Sequence, residues 1–180
     1  MLELFLLGML GGMAANKVKK TMMTSKSQQY RKAIADPKNA EYVRYITEVE
    51  KARGMPSGLL LRVAFQESAF RPDVISGKTK SIKGAVGMFQ IVPSKNAIDI
   101  SVALDWRRAC DLAAGEFLKL KKRFGKWEYA LKAYNCGQGN LAKLLAGNDK
   151  PGMAGGGECK SRETLSYWSE ISADVIGLGG

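Results

Sequence analysis

A chain of 180 residues with 46% hydrophobic and 25% charged residues has the length and balance of one packed domain with tails. It carries 28 Lys and Arg against 17 Asp and Glu, a net charge of +11, and no His. The missing His excludes Ser-His-Asp and Cys-His catalysis, His-ligated zinc and a His pH switch, leaving carboxylates, hydroxyls, amides, thiols or Lys for any chemistry. The positive excess suits polyanionic partners (nucleic acid, anionic lipid or a bacterial wall) without choosing among them.

The chain opens with an apolar stretch from Leu4 to Ala15, interrupted only by glycines. It is shorter than the roughly 20 apolar residues that span a bilayer, and Glu3 stands where an export signal has a positive charge. Three readings stay open: an export signal with a site at Ala14-Ala15, a membrane-associating anchor through residues 2–15, and an oligomerisation or capsid-contact segment. Residues Asn16 to Ala35 include six basic residues and no acid, which predicts a mobile basic linker suited to an anionic lipid surface. Residues 1–36 are therefore expected to form a tail and residues 37–176 the domain.

Helical patterning begins at Asp36-Pro37, an N-terminal signal, with Tyr42, Ile46 and Val49 following at steps of four and three. Gly54 is expected to end this helix and Pro56 to open the next, whose face carries Leu60, Val63, Ala64 and Glu67. A long helix is predicted from Ser101 to Phe124 on the stripe Ala103, Trp106, Cys110, Ala113, Phe117, Leu120 and Phe124. Its other face holds Arg107, Arg108, Lys119, Lys121, Lys122 and Arg123. Further helices are expected at about 127–135, 139–145 and 162–176, with the Gly-rich stretch GNDKPGMAGGGECK before the last read as a mobile loop. No run alternates as a strand would, so the fold class is mainly α.

Cys110, Cys136 and Cys159 do not make a disulfide framework, and no CxxC or other spacing reads as a metal site. Buried thiols and a single bridge both fit, and the compartment stays open. No cofactor is implied.

Glu67 is the residue that the pattern leaves to be explained. A carboxyl on an apolar helix face loses hydration, which raises its pKa toward what a general acid needs at neutral pH. The plainer alternative is a helix-end Glu paired with Arg62 or Arg71. Three further pieces follow it in order. Ser76-Gly77 leads to Gly84-Ala85-Val86-Gly87-Met88-Phe89-Gln90, then comes Ala133-Tyr134-Asn135-Cys136-Gly137, and finally Glu163-Thr164 with Tyr167.

In this order the motifs resemble the soluble-type (SLT) lytic transglycosylases of the lysozyme-like superfamily. That family's pattern is Glu-Ser at a helix end, Gly-Ala-x-Gly-Leu-Met-Gln, Ala-Tyr-Asn-x-Gly and Glu-Thr-x-x-Tyr. The match runs from about Met55 to Ile171, with Met88-Phe89 in place of Leu-Met, a basic insertion at Lys78 to Lys83, and a longer loop before Glu163. The resemblance implies a lysozyme-like fold and cleavage of the β-1,4 bond between N-acetylmuramic acid and N-acetylglucosamine in peptidoglycan, leaving a 1,6-anhydro end. It makes Glu67 the acid and then the base. The implied substrate-binding set is Ser68, Ser76, Gly87, Met88, Phe89, Gln90, Tyr134, Asn135 and Glu163. Within it Ser68 also shapes the helix end, Met88 and Phe89 line the cleft, and Glu163 holds Tyr134 or a peptide stem. Tyr134 and Gln90 are the implied polar contacts that orient the sugar, and a core aromatic with a satisfied hydroxyl is the alternative for Tyr134.

Ordinary glycosidases use two carboxylates, and Asp73 is the only other acid between Glu67 and Gln90, so a lysozyme-like hydrolase is the alternative reaction. A structural or DNA-contacting virion protein is the alternative outside enzymes. The basic run after the apolar start would hold the domain in the cytoplasm, against a wall substrate outside it. Delivery in a phage particle or cleavage of the tail after export would each resolve that conflict, and short domains of this type resemble wall-opening proteins of phage virions and of secretion machines.

Overall fold

The computed structural model describes residues 25–147 and 159–178. The apolar N-terminal segment with its three readings, the start of the basic run and most of the Gly-rich loop lie outside these residues. Among the described residues the fold is helical, with one antiparallel bridge between Val86 and Ile91. In chain order the elements are α1 (Ser25–Ala35), a 3-10 turn (Pro37–Asn39), α2 (Ala40–Ala52), α3 (Leu59–Ser68), α4 (Pro72–Ile75) and α5 (Pro93–Asn96). They continue with α6 (Ile100–Leu104), α7 (Trp106–Phe124), α8 (Trp127–Cys136), α9 (Gln138–Leu145) and α10 (Arg162–Ser172).

Helix α3 is the centre. Leu59 to Phe65 are all buried, the mark of a helix surrounded by others rather than lying on a surface. Helices α2, α7 and α10 pack around it, and α8 joins α7 to α9 and α10. The expected opening of α3 at Pro56 is corrected: Gly58, at φ 83°, is the N-cap, and Pro56 lies in the turn before it. The donors of the first turn are met from another helix. The Glu50 carboxylate of α2 accepts the Gly58 and Leu61 N–H groups at 2.7 and 2.9 Å.

Three other expectations are corrected. Residues 25–35 are not a linker but α1, whose Tyr30 is buried against Phe65 and whose Ser27 hydroxyl donates to Asp174 at 3.0 Å. The same Asp174 oxygen accepts from Arg62 Nε at 2.8 Å, so one buried ion pair joins α3 to the C-terminal turn. Here the helix is held by tertiary contacts that a polar sequence conceals. The single helix predicted over 101–124 is two, because Asp105 is extended and its carboxylate accepts the Arg107 and Arg108 N–H groups to begin α7 afresh. The last helix ends at Ser172, short of 176, before the turn that brings Asp174 to Arg62.

The cysteines split. Cys136 and Cys159 form a disulfide, and Cys110 is a free buried thiol that burial pushes up to about 12. The bridge ties the end of α8 to the approach to α10 across 23 residues of sequence. Cys159→Ser is expected to lower the unfolding free energy by about 3 kcal/mol through the longer open loop. Urea unfolding of the two forms measures this, and reductant should lower the wild type to match the variant.

Candidate active site

Glu67 lies in the last turn of α3, and the chain leaves that helix abruptly. Ala69 and Phe70 both take left-handed conformations, at φ 50° and 53°, which L-residues adopt at a cost. Ser68 sustains the turn: its buried hydroxyl donates to the Ala64 carbonyl at 2.8 Å and accepts the Phe70 N–H at 3.2 Å. Ser68 is thus directed into the protein.

The Gly84 to Gln90 stretch is a tight turn. Val86 and Ile91 exchange both backbone hydrogen bonds, and the Gln90 N–H closes on the Gly87 carbonyl at 3.2 Å. Gly87, at φ 77°, packs so closely on α6 that a Cβ there would lie 2.0 Å from the Ala103 carbonyl oxygen. Met88 and Phe89 drive into the core and are fully buried. This corrects their expected place in the cleft wall: in so tight a turn they are the plug that fixes it. Gln90 follows at φ 48° with its amide nitrogen donating to Gly87. Tyr134 on α8 donates to the Phe89 carbonyl at 2.8 Å and stacks on Phe117 at 4.5 Å.

These elements border a cleft of about 820 Å³ whose lining includes Glu67, Gln90, Tyr134, Asn135 and Glu163. Ser68, Gly87, Met88 and Phe89 lie behind it, and exposed Ser76 donates to the Asp73 carbonyl away from it. Asp73 is also outside, bound by Arg71 and Thr79 at 2.6 and 2.7 Å. Neither Arg62 nor Arg71 pairs with Glu67, since Arg62 serves Asp174 and Arg71 serves Asp73.

The partner of Glu67 comes from α10. Tyr167 donates its hydroxyl to Glu67 Oε1 at 2.7 Å. Burial, partly opposed by this bond and reinforced by the nearby Glu163 charge, pushes the Glu67 carboxyl up to about 7. The Tyr167 and Tyr134 hydroxyls are raised well above their ordinary value, chiefly by burial, and remain donors at any working pH. Glu163 makes no hydrogen bond to Tyr134, which is committed to Phe89, so the expected hold on Tyr134 is corrected. Asn135 accepts from the Thr164 hydroxyl at 2.7 Å and fastens α10 to α8.

Tyr167 belongs to the closing motif but lies outside the implied substrate-binding set. Its spacing, four after Glu163, puts the two on one helix face, and the reach to Glu67 is set by the packing of α10 on α3. Tyr167→Phe is expected to lower about 10-fold any rate that depends on proton transfer from Glu67. It should also move the alkaline limb of the pH profile upward, because the lost hydrogen bond favours the charged Glu67. A pH–rate series separates this from a purely structural loss, which would leave the limb in place.

A carboxyl raised by burial in a groove, with amide and phenol groups beside it on a helical fold, is placed to give and take back a proton. The family profile of the transglycosylase SLT domain matches residues 44–153, and the chain belongs to that family. It is 31% identical over 121 residues to the membrane-bound lytic murein transglycosylase D of two Escherichia coli strains. That alignment covers 63% of this chain and 25% of the relatives, so the chain spans about a quarter of the curated relatives it matches. No solved structure matches the chain. Among the described residues no helix is long and apolar enough to cross a membrane, and no cluster of His, Cys, Asp and Glu could hold a metal.

Proposed function

We propose that the chain is a peptidoglycan lytic transglycosylase that cleaves the MurNAc-β-1,4-GlcNAc bond and leaves a 1,6-anhydroMurNAc end. The observation that carries this reading is the Glu67 carboxyl, raised to about 7 in a cleft and free of any ion pair among the described residues. At neutral pH a good fraction is protonated and can donate to the glycosidic oxygen as that bond breaks. The carboxylate then takes the proton from the sugar's own C6 hydroxyl, which closes on C1. One acid serves both steps because the nucleophile belongs to the substrate. Tyr167 fixes the Oε1 side of the carboxyl, leaving the other oxygen for the exchange. Gln90 and Tyr134 border the sugar's position.

The bacterial envelope is the setting we infer, reached by export, within a secretion machine or in a phage particle that opens the wall for genome entry. The Cys136–Cys159 bridge supports an oxidising place, and the +11 charge supports encounter with an anionic wall polymer. The same charge would give nucleic-acid contact that fades at moderate salt. A muramidase remains the second reading because Glu163 also lines the cleft and acts on Glu67 electrostatically. Mass spectrometry of muropeptides released from purified sacculi separates the two. Anhydro ends are expected, whereas reducing ends would make the enzyme a hydrolase.

A further inference from the structure

Glu67 and Tyr167 meet where α3 packs on α10, and theirs is one of several polar bonds across that contact. The Gln66 amide donates to Glu170 Oε2 at 3.0 Å, joining the residue before Glu67 to the one a turn beyond Tyr167. Arg62, one turn earlier on α3, completes the set. Its Nη1 donates to Gln66 Oε1 at 2.7 Å, its Nε to Asp174 at 2.8 Å, and its Nη2 to the Glu170 carbonyl at 3.4 Å. Helix α1 closes over them: Lys26 pairs with Glu170 at 2.9 Å, and the Tyr30 ring centre lies 5.3 Å from the guanidinium carbon. None of these residues lines the cleft. Lys26, Glu170 and Asp174 also lie outside residues 44–153, which the family profile matches.

A wholly buried Arg is a costly way to hold two helices together. The Arg62 side chain is 0% exposed and that of Asp174 3%, so desolvation offsets much of their attraction, and apolar side chains of similar size would hold the helices as firmly. What apolar packing lacks is direction. The forked guanidinium, bonded to three partners, limits how far α10 can slide or turn on α3. Resting on the transglycosylase reading, we propose that Arg62 is a positioning residue: with Gln66, Glu170 and Asp174 it holds α10 in the register at which Tyr167 meets Glu67. It stands outside the cleft and acts on proton transfer through Tyr167. The other titratable groups about Glu67 are Glu163 of α10, Tyr134 of α8 and Lys26 of α1, while Glu116 of α7 lines the same cleft.

Two variants of the intact chain test this. Arg62→Lys keeps the charge but loses the fork, so a change in Glu67 cannot be ascribed to a missing positive charge. Gln66→Met spares the Arg62–Asp174 pair and decides the matter even where Arg62→Lys is too unstable to fold. Each should raise the Glu67 titration midpoint, read by NMR of its carboxyl carbon, toward that of Tyr167→Phe. Each should also slow clearing of purified peptidoglycan roughly 10-fold. Adding Tyr167→Phe to Gln66→Met should slow clearing no more than about 2-fold further, whereas independent effects would multiply. A midpoint that stays near 7 or falls in both variants, or effects that multiply, overturns the inference. A wild-type chain that clears no peptidoglycan overturns the transglycosylase reading, and the midpoints then decide the register by themselves.

Discussion

Glu67→Gln is expected to reduce peptidoglycan clearing by about 10³-fold or more, since it removes the proton donor and the base together. The fold should survive, because the Gln carbonyl oxygen can still accept the Tyr167 hydroxyl. Stability should in fact rise above neutral pH. The folded carboxyl titrates near 7, against an ordinary 4.5, so its native state holds the proton longer than the unfolded chain does. That stabilisation is full below about 4.5 and is lost as pH rises through 7. At pH 8 the wild type therefore bears a buried charge that Gln lacks, and the variant should gain on the order of 2 kcal/mol. At pH 4 the gain should vanish. Turbidity clearing and urea unfolding at the two pH values check both halves, and retained clearing would remove Glu67 from catalysis.

Gly87→Ala is the second large effect, and it acts without touching substrate. The new methyl would sit 2.0 Å from the Ala103 carbonyl oxygen on a backbone at φ 77°. Neither partner is a flexible side-chain tip, so the turn or α6 must move. Moving the turn withdraws Met88 and Phe89 from the core and the Phe89 carbonyl from Tyr134. A loss of about 3–5 kcal/mol is expected. Gly84→Ala is the control: it has the same φ, but no atom lies within 4 Å of the added carbon. It should cost only about 1 kcal/mol. Comparable losses for the two would mean that backbone conformation, and not the approach to α6, sets the requirement for glycine.

The helical class and the position of Glu67 were legible because apolar spacing on α3 and the ordered motifs carry them directly. Gln90, Tyr134 and Asn135 were legible as cleft neighbours for the same reason. The direction of Met88 and Phe89 was not, since a tight turn has no period that tells inside from outside. Helix α1 was hidden because its inner face is short, Tyr30 with the partly buried Ala33 and Ile34, and its polar holds, Ser27 to Asp174 and Lys26 to Glu170, reach partners far along the chain. The Asp105 break was hidden for the opposite reason: the stripe runs on through it. The bridge between Cys136 and Cys159 and the bond from Tyr167 to Glu67 join residues 23 and 100 apart, and no local pattern encodes them.

Glu67 itself offers the most direct test. With the side-chain carboxyl carbon followed by NMR across the pH range in the intact chain, its titration midpoint should fall near 7 and rise further in Tyr167→Phe. A midpoint near 4.5 would leave the carboxyl ionised at neutral pH and contradict its role as the proton donor.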